Sequence, residues 1–189
     1  MKYDKFSIVI SPFGTSSIEV LLFEIFSTYQ IEKIVLAGLC KRFNKSEAET
    51  GTIYAVNKAY IASTGLDEEV KFPVTYKFEI RGSVPFMNAV STDFYYGFNE
   101  EPNTIRNKLL LLQKKYKSFS KKVELVDFDT AQFYAICRMY AENKIFEYVS
   151  LKAVSQSIDA FQDQIKNPAS LLDSLFAKSL EQIDVKKLT

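Results

Sequence analysis

Two acidic residues stand two positions apart at the end of an apolar run, in the segment VELVDFDTAQFYAIC. Because side chains alternate between the faces of a strand, Asp127 and Asp129 would point to the same face at the strand's end. A carboxylate there could accept hydrogen bonds from both hydroxyls of a sugar, and its charge would strengthen each bond. Either acid could instead cap the helix that begins near Thr130. Both residues are therefore candidates for a ligand site or for a helix cap.

Three further segments place polar or aromatic side chains after predicted strands. SPFGTSS offers Ser11 and Gly14 just before a helix, where backbone N–H groups favour an anion or a polar ligand oxygen, although an ordinary helix cap also explains it. STDFYYG carries Tyr95, which could stack on a flat base or pack in the core. In SQSID, Gln156 could hydrogen-bond a base edge or cap the next segment. Ligands gather beyond the carboxyl ends of strands in α/β sheets, so we predict one shared crevice.

In chain order, the segments SPFG, AGLC, STDFYY, DFDTA and VSQ resemble motifs of one enzyme superfamily. It comprises purine nucleoside phosphorylase, uridine phosphorylase and methylthioadenosine nucleosidase. The resemblance extends from about Phe6 to about Asp159, in a shortened and divergent form. It implies a nucleoside phosphorylase-like domain, which we expect to span residues 1–189, and cleavage of the N-glycosidic bond of a nucleoside.

The resemblance also implies roles for individual residues. Asp129 would hold the ribose hydroxyls, Phe128 would lie against the sugar and Tyr95 would stack on the base. Gln156 falls where the family has an aspartate that assists at purine N7. The segment from Ser11 to Gly14 would line the side from which phosphate or water attacks.

Departures from the family pattern bear on the reaction. Gln156 cannot donate a proton as a carboxylic acid does. Leu36 and Leu39 stand where the family's phosphorylases have an arginine and a serine or threonine for phosphate, and the family's amino-terminal strand has no counterpart before SPFG. Each lost charged hydrogen-bond partner costs about 1.5–3 kcal/mol. We therefore predict hydrolysis rather than phosphorolysis, for which a carboxylate such as Asp93 or Asp127 would have to activate water.

The elements that would position these residues follow from hydrophobic periodicity. FSIVI and IEKIVLAG are predicted strands around the helix SSIEVLLFEIFSTYQ, and GTIYAVNKAYIAS, VTYKFEI and MNAVSTDFYYG are strand-like. NTIRNKLLLLQKKYKSFSKK is a predicted helix. KVELVDF, TAQFYAICRMYAENK and IFEYVSLKAVS then form strand, helix and strand. A final helix, KNPASLLDSLFAKSLEQI, would pack through Leu172, Leu175, Phe176, Leu180 and Ile183. The predicted fold is an α/β domain with a mixed twisted sheet flanked by helices.

Composition excludes several classes of function. The net charge is +1, so no strong field favours nucleic acid or anionic lipid. The absence of histidine excludes Ser–His and Cys–His pairs and histidine metal sites. Cys40 and Cys137 lack metal-ligand spacing and are expected to be buried in a reducing compartment. MKYDKFSIVISPFG lacks the long apolar stretch of a signal peptide and no apolar run has bilayer length, so we expect neither a signal peptide nor a membrane span. We predict a cytoplasmic protein with no cofactor, metal, nucleic-acid or membrane partner.

Three functions are compatible with these observations. The first is a nucleosidase that acts in nucleoside or purine metabolism on a small-molecule nucleoside. The second is a nucleoside- or nucleotide-binding module that has lost catalysis. The third is a structural subunit of an oligomer, built on the aromatic surface of the fold. The resemblance implies a homo-oligomer, because members of the superfamily assemble with their sites near subunit contacts.

Overall fold

A computed structural model gives the structure of part of the chain. The residues that it describes are 7–9, 15–44, 46–62, 74–75, 80–92, 104, 107–108, 110–112, 114, 123–142, 146–158 and 168–183.

Helices and strands occur in the order that the sequence predicts for most of the chain. They are α1 (Thr15–Thr28), β1 (Lys33–Arg42), β2 (Ile53–Ala62), β3 (Val74–Thr75), β4 (Phe86–Thr92), β5 (Leu125–Asp127), α2 (Thr130–Ala141), β6 (Glu147–Ser157) and α3 (Pro168–Ile183). The described residues between 104 and 114 are also helical. Pro168 begins α3, a position where its missing N–H costs no helical hydrogen bond.

The strands form a mixed sheet that closes on itself. Around the closed sheet the order is β2, β4, β5, β1 and β6, and β3 adds to β2. β6 pairs with β1 in parallel and also with β2 in antiparallel orientation, through Tyr54 opposite Lys152. β5 runs antiparallel to β1 and parallel to β4. The prediction of an α/β fold with a mixed sheet is confirmed, but the expected open twisted sheet is wrong, because the β2–β6 pairing joins its ends.

The first predicted strand is not found where it can be checked. Residues 7–9 lie outside any strand, and Ile8 and Val9 are 63% and 53% exposed. The apolar run FSIVI predicted burial, but in the described residues no strand covers it. The neighbours of β1 in the sheet are β6 and β5.

Helices cover both faces of β6. Tyr148 and Val154 belong to the largest core cluster, which includes α2 residues such as Phe133. Val149 and Leu151 face the other way and pack with Leu171 and Leu175 of α3. Because side chains alternate along a strand, Lys152 lies on the α2 face of β6. Among the described residues, no helix has the length and apolar character that a membrane crossing requires.

Candidate functional site

The segment DFDT joins β5 to α2 and carries both predicted acids. Asp127 is the last residue of β5, and Thr130 is the first residue of α2. The Asp127 side chain is fully buried and accepts hydrogen bonds from Ser91 Oγ at 2.5 Å and from Thr130 Oγ1. Ser91 comes from β4, which lies beside β5 in parallel, so two strands and a helix meet at this carboxylate.

A buried lysine links the two acids. Lys152 lies in the middle of β6, and its Nζ is 2.6 Å from Asp129 Oδ1 and 3.4 Å from Asp127 Oδ2. Gly38 of β1 is its neighbour in the parallel register. A Cβ atom at Gly38 would lie 3.2 Å from Nζ, so glycine leaves the room that the ammonium group uses.

The three charged groups differ in their access to solvent. The side chains of Lys152 and Asp127 are 2% and 0% exposed, whereas that of Asp129 is 24% exposed. A ligand can therefore reach the Asp129 carboxylate, while Asp127 and Lys152 lie behind it. The cluster therefore presents one fixed, charged hydrogen-bond acceptor to solvent, the Asp129 carboxylate.

Burial and charge shift the pKa values of this cluster. Burial lowers the pKa of Lys152, but Asp129 and Asp127 together outweigh it, and the pKa is raised overall. Burial raises the pKa of Asp127, against the opposing effects of Lys152 and the hydroxyls of Ser91 and Thr130. Burial, followed by the charge of Asp127, raises the pKa of the Cys40 thiol. Cys40 and Cys137 are buried free thiols, as the sequence predicts.

Hydroxyl groups complete the hydrogen bonding around Asp127. Thr130 donates its proton to Asp127, so Ser150 Oγ donates to Thr130 Oγ1 across 2.9 Å. Ser91 Oγ donates to Asp127 and accepts from the backbone N–H of Ala131 at 2.9 Å. The result is a connected polar network beneath the ion pair.

The capping of α2 differs from the expected arrangement. Asp129 occupies the N-cap position, but its side chain makes no capping hydrogen bond. Its backbone carbonyl accepts from Phe133 N at 2.9 Å, and the cap of Ala131 comes from Ser91 on a separate strand. The Asp129 carboxylate is therefore directed to Lys152 and solvent. Asp129 does not cap the helix through its side chain, and its carboxylate is available to a ligand.

The structure places the other predicted site residues as follows. Phe128 is half-buried between the two acids. Gln156 lies in β6 opposite Lys41, and Lys41 lies opposite Val126 of β5. Gln156 is thus two strands from Val126, a separation of about 10 Å. Ser11, Gly14, Asp93 and Tyr95 lie outside the described residues.

Sequence reasoning missed Lys152, Ser91 and Ser150. The signal for Lys152 was present, because YVSLKAV is an apolar strand with one central lysine, and such a lysine needs a buried counter-charge. Ser91 stands in the segment STDFYYG, but sequence reasoning used only the aromatic residues and Asp93 of that segment. Its role depends on the parallel pairing of β4 with β5, which the local sequence does not reveal.

Comparison with solved structures identifies a similar fold. A structure described as the P. knowlesi homologue of P. falciparum PNP matches this chain with a TM-score of 0.63 and 16% sequence identity. The match covers 90% of this chain and 68% of that chain. No protein-family model matches, and no curated protein matches in sequence. The likeness supports a nucleoside phosphorylase-like fold, in agreement with the resemblance of the sequence motifs.

Proposed function

We propose that this protein binds a nucleoside and cleaves its N-glycosidic bond. The observation that carries the proposal is the Asp129 carboxylate, which is partly exposed and fixed 2.6 Å from a buried ammonium group in a nucleoside phosphorylase-like fold. A carboxylate held in this way accepts hydrogen bonds from ribose hydroxyls without having to be ordered first. Phe128 and Tyr95 would then contact the sugar and the base, and Ser11 and Gly14 would line the side of attack.

The charge of the cluster favours water over phosphate as the attacking group. Lys152 supplies one positive charge against Asp129 and Asp127, so the cluster has no surplus positive charge even if Asp127 is protonated. Leu36 and Leu39, at the positions of the family's phosphate ligands, add no positive charge. A phosphate dianion would lack the charged partners that compensate its desolvation. Hydrolysis is therefore the proposed reaction; because Asp127 is fully buried, Asp93 is the one of the two predicted carboxylates that would activate the water.

A second candidate function is binding of a nucleoside without turnover. Gln156 favours it, because an amide at this position of β6 has no acidic proton for the leaving base. In that case the Asp129 site would retain the nucleoside while the bond stays intact.

A ligand panel tests the proposal. Thermal unfolding would be measured with adenosine, uridine, the free bases and inorganic phosphate, using wild-type protein, Asp129→Asn and the matched control Asp173→Asn. Asp173 is an exposed acid on α3. We expect a nucleoside to raise the midpoint of the wild type and of Asp173→Asn, by an amount equivalent to about 2.7 kcal/mol at a hundredfold excess over Kd. Asp129→Asn should lose most of this shift.

Chromatography of the reaction mixture separates the two candidate functions. Free base that forms without phosphate supports hydrolysis, and base that forms only with phosphate contradicts it. Binding with no base released supports the second candidate. If no nucleoside stabilises the wild-type protein, both candidate functions are wrong.

A further inference from the structure

We infer that Lys152 is a positioning residue, which fixes the Asp129 carboxylate for its ligand and is itself held by Asp127. The inference deepens the proposed function and rests on it, since it concerns how the ribose-binding carboxylate is oriented. Neither Lys152 nor Asp127 is assigned a contact with the ligand.

The burial of the lysine supports this role. Its side chain is 2% exposed, so its ammonium group cannot exchange a carboxylate partner for water. The shorter of its two contacts, 2.6 Å, is to Asp129 Oδ1, the carboxylate that reaches solvent. Lys152 binds Asp129 Oδ1 from the buried side. This contact fixes the plane of the carboxylate and directs its other oxygen toward a ligand.

Asp127 holds the Lys152 ammonium group in place. It accepts hydrogen bonds from Ser91 and Thr130 and forms an ion pair with Lys152 at 3.4 Å, and its side chain is 0% exposed. These partners come from β4, α2 and β6, so it cannot turn without breaking contacts to three elements. Asp127 is consequently a support for Lys152 and lies too deep to meet a ligand directly.

Gly38 limits the position of the ammonium group on the β1 side. A Cβ atom there would approach Nζ to 3.2 Å, a distance at which the lysine must shift by a few tenths of an ångström. Gly38→Ala is therefore a mild way to displace Lys152 while its charge and both carboxylates remain. Gly38 does not lie at positive φ, so alanine imposes no backbone strain.

The test compares ligands that differ only in the ribose hydroxyls. Dissociation constants would be measured by calorimetry for adenosine and uridine, each beside its 2′,3′-dideoxy analogue. The variants are Lys152→Met/Asp127→Asn, which removes both fully buried charges, Gly38→Ala, Asp129→Asn and the exposed control Lys58→Met. We expect wild type and Lys58→Met to prefer the riboside about tenfold or more. The double variant should lose this preference, and Gly38→Ala should lose part of it.

The outcomes separate the inference from the proposed function. If the role of Lys152 is purely structural, the double variant will bind both ligands of a pair more weakly by the same factor and will keep the preference for the riboside. That result would overturn the inference. If the double variant does not fold, an unchanged preference in Gly38→Ala overturns it. If the wild type and Asp129→Asn show the same preference, or if the wild type binds neither riboside, the proposed function is wrong and this inference is wrong with it.

Discussion

At the scale of residues, one buried lysine changes the meaning of the acidic pair. The segment DFDT suggests two equivalent carboxylates, but the structure gives them different environments. Asp127 is enclosed by Ser91, Thr130 and Lys152, and Asp129 stands between Lys152 and solvent. Asp127 is therefore the supporting carboxylate, and Asp129 is the carboxylate that a ligand can reach.

The raised pKa of Lys152 predicts a specific loss of stability in alkali. A group whose pKa is raised by folding stabilises the protein below its ordinary pKa and ceases to do so as the pH rises toward the raised value. For a lysine this loss begins above about pH 10. The raised pKa of Asp127 likewise makes the free energy of unfolding fall as the pH rises, over a lower range of pH.

Denaturant titrations between pH 8 and pH 11 would measure this effect. The free energy of unfolding of the wild type should fall relative to that of Lys152→Met/Asp127→Asn, by up to about 1.4 kcal/mol per pH unit above pH 10. Lys58→Met should follow the wild type, because this variant keeps Lys152 and Asp127 and loses only an exposed lysine. A constant difference between wild type and double variant over this range would contradict the charged, buried state of Lys152.

At the scale of elements, the junction of β4, β5 and α2 holds the site together. The first turn of α2 receives its side-chain cap from Ser91 of β4, and the same hydroxyl donates to Asp127 at the end of β5. One small side chain thus satisfies a helix N–H group and a buried carboxylate oxygen. This explains how a strand that is short in the described structure, Leu125–Asp127, keeps a defined position.

Ser91→Ala removes a single oxygen atom but should lower the free energy of unfolding considerably. It removes a hydrogen bond to a charged group and a helix cap, which together cost about 2–4 kcal/mol. Equilibrium unfolding in urea would measure the loss. Ser174→Ala, which removes an exposed hydroxyl bonded within α3, should stay within about 0.5 kcal/mol of wild type. Equal effects of the two substitutions would show that Ser91 does not join these elements.

Local periodicity predicts the elements better than it predicts their buried faces. Helices α2 and α3 and strands β2, β4 and β6 form where their sequence patterns indicate. On α3, however, the predicted stripe is shifted, since Leu172 and Phe176 are each 47% exposed while Leu171 and Leu175 are buried. Gln182 is also buried on α3, where its amide accepts from the backbone N–H of Arg81 and donates to the Arg81 carbonyl. A hydrophobic pattern cannot predict a buried glutamine that is satisfied by a distant loop.

At the scale of the whole molecule, closure of the sheet is the feature that the sequence does not predict. It requires β2 to meet β6 across about a hundred residues of chain, through Ile53, Tyr54 and Ala55. That pairing includes Lys152 itself, opposite Tyr54. The lysine therefore sits where the sheet closes, with Gly38 of β1 on its other side. Long-range pairing, and not local propensity, places the ammonium group beside the acids.

The resemblance of the motifs and the shape of the fold agree with each other. Five short segments in order suggested a nucleoside phosphorylase-like chain, and the fold matches a structure described as a PNP homologue at 16% identity. The reaction depends on details that fold likeness does not carry, namely which groups face the bond to be broken. Among the described residues, the partly exposed Asp129 is the acid proposed to contact the ligand, while Lys152 and Asp127 lie behind it.

A crystal structure of the protein with adenosine or uridine would show whether Asp129 holds the ribose. We expect a ribose hydroxyl within about 2.5–3.0 Å of a carboxylate oxygen of Asp129, with Lys152 still bonded to that side chain on the buried side. A nucleoside whose ribose lies away from Asp129, or an Asp129 carboxylate that is turned from Lys152 in the complex, would contradict this expectation.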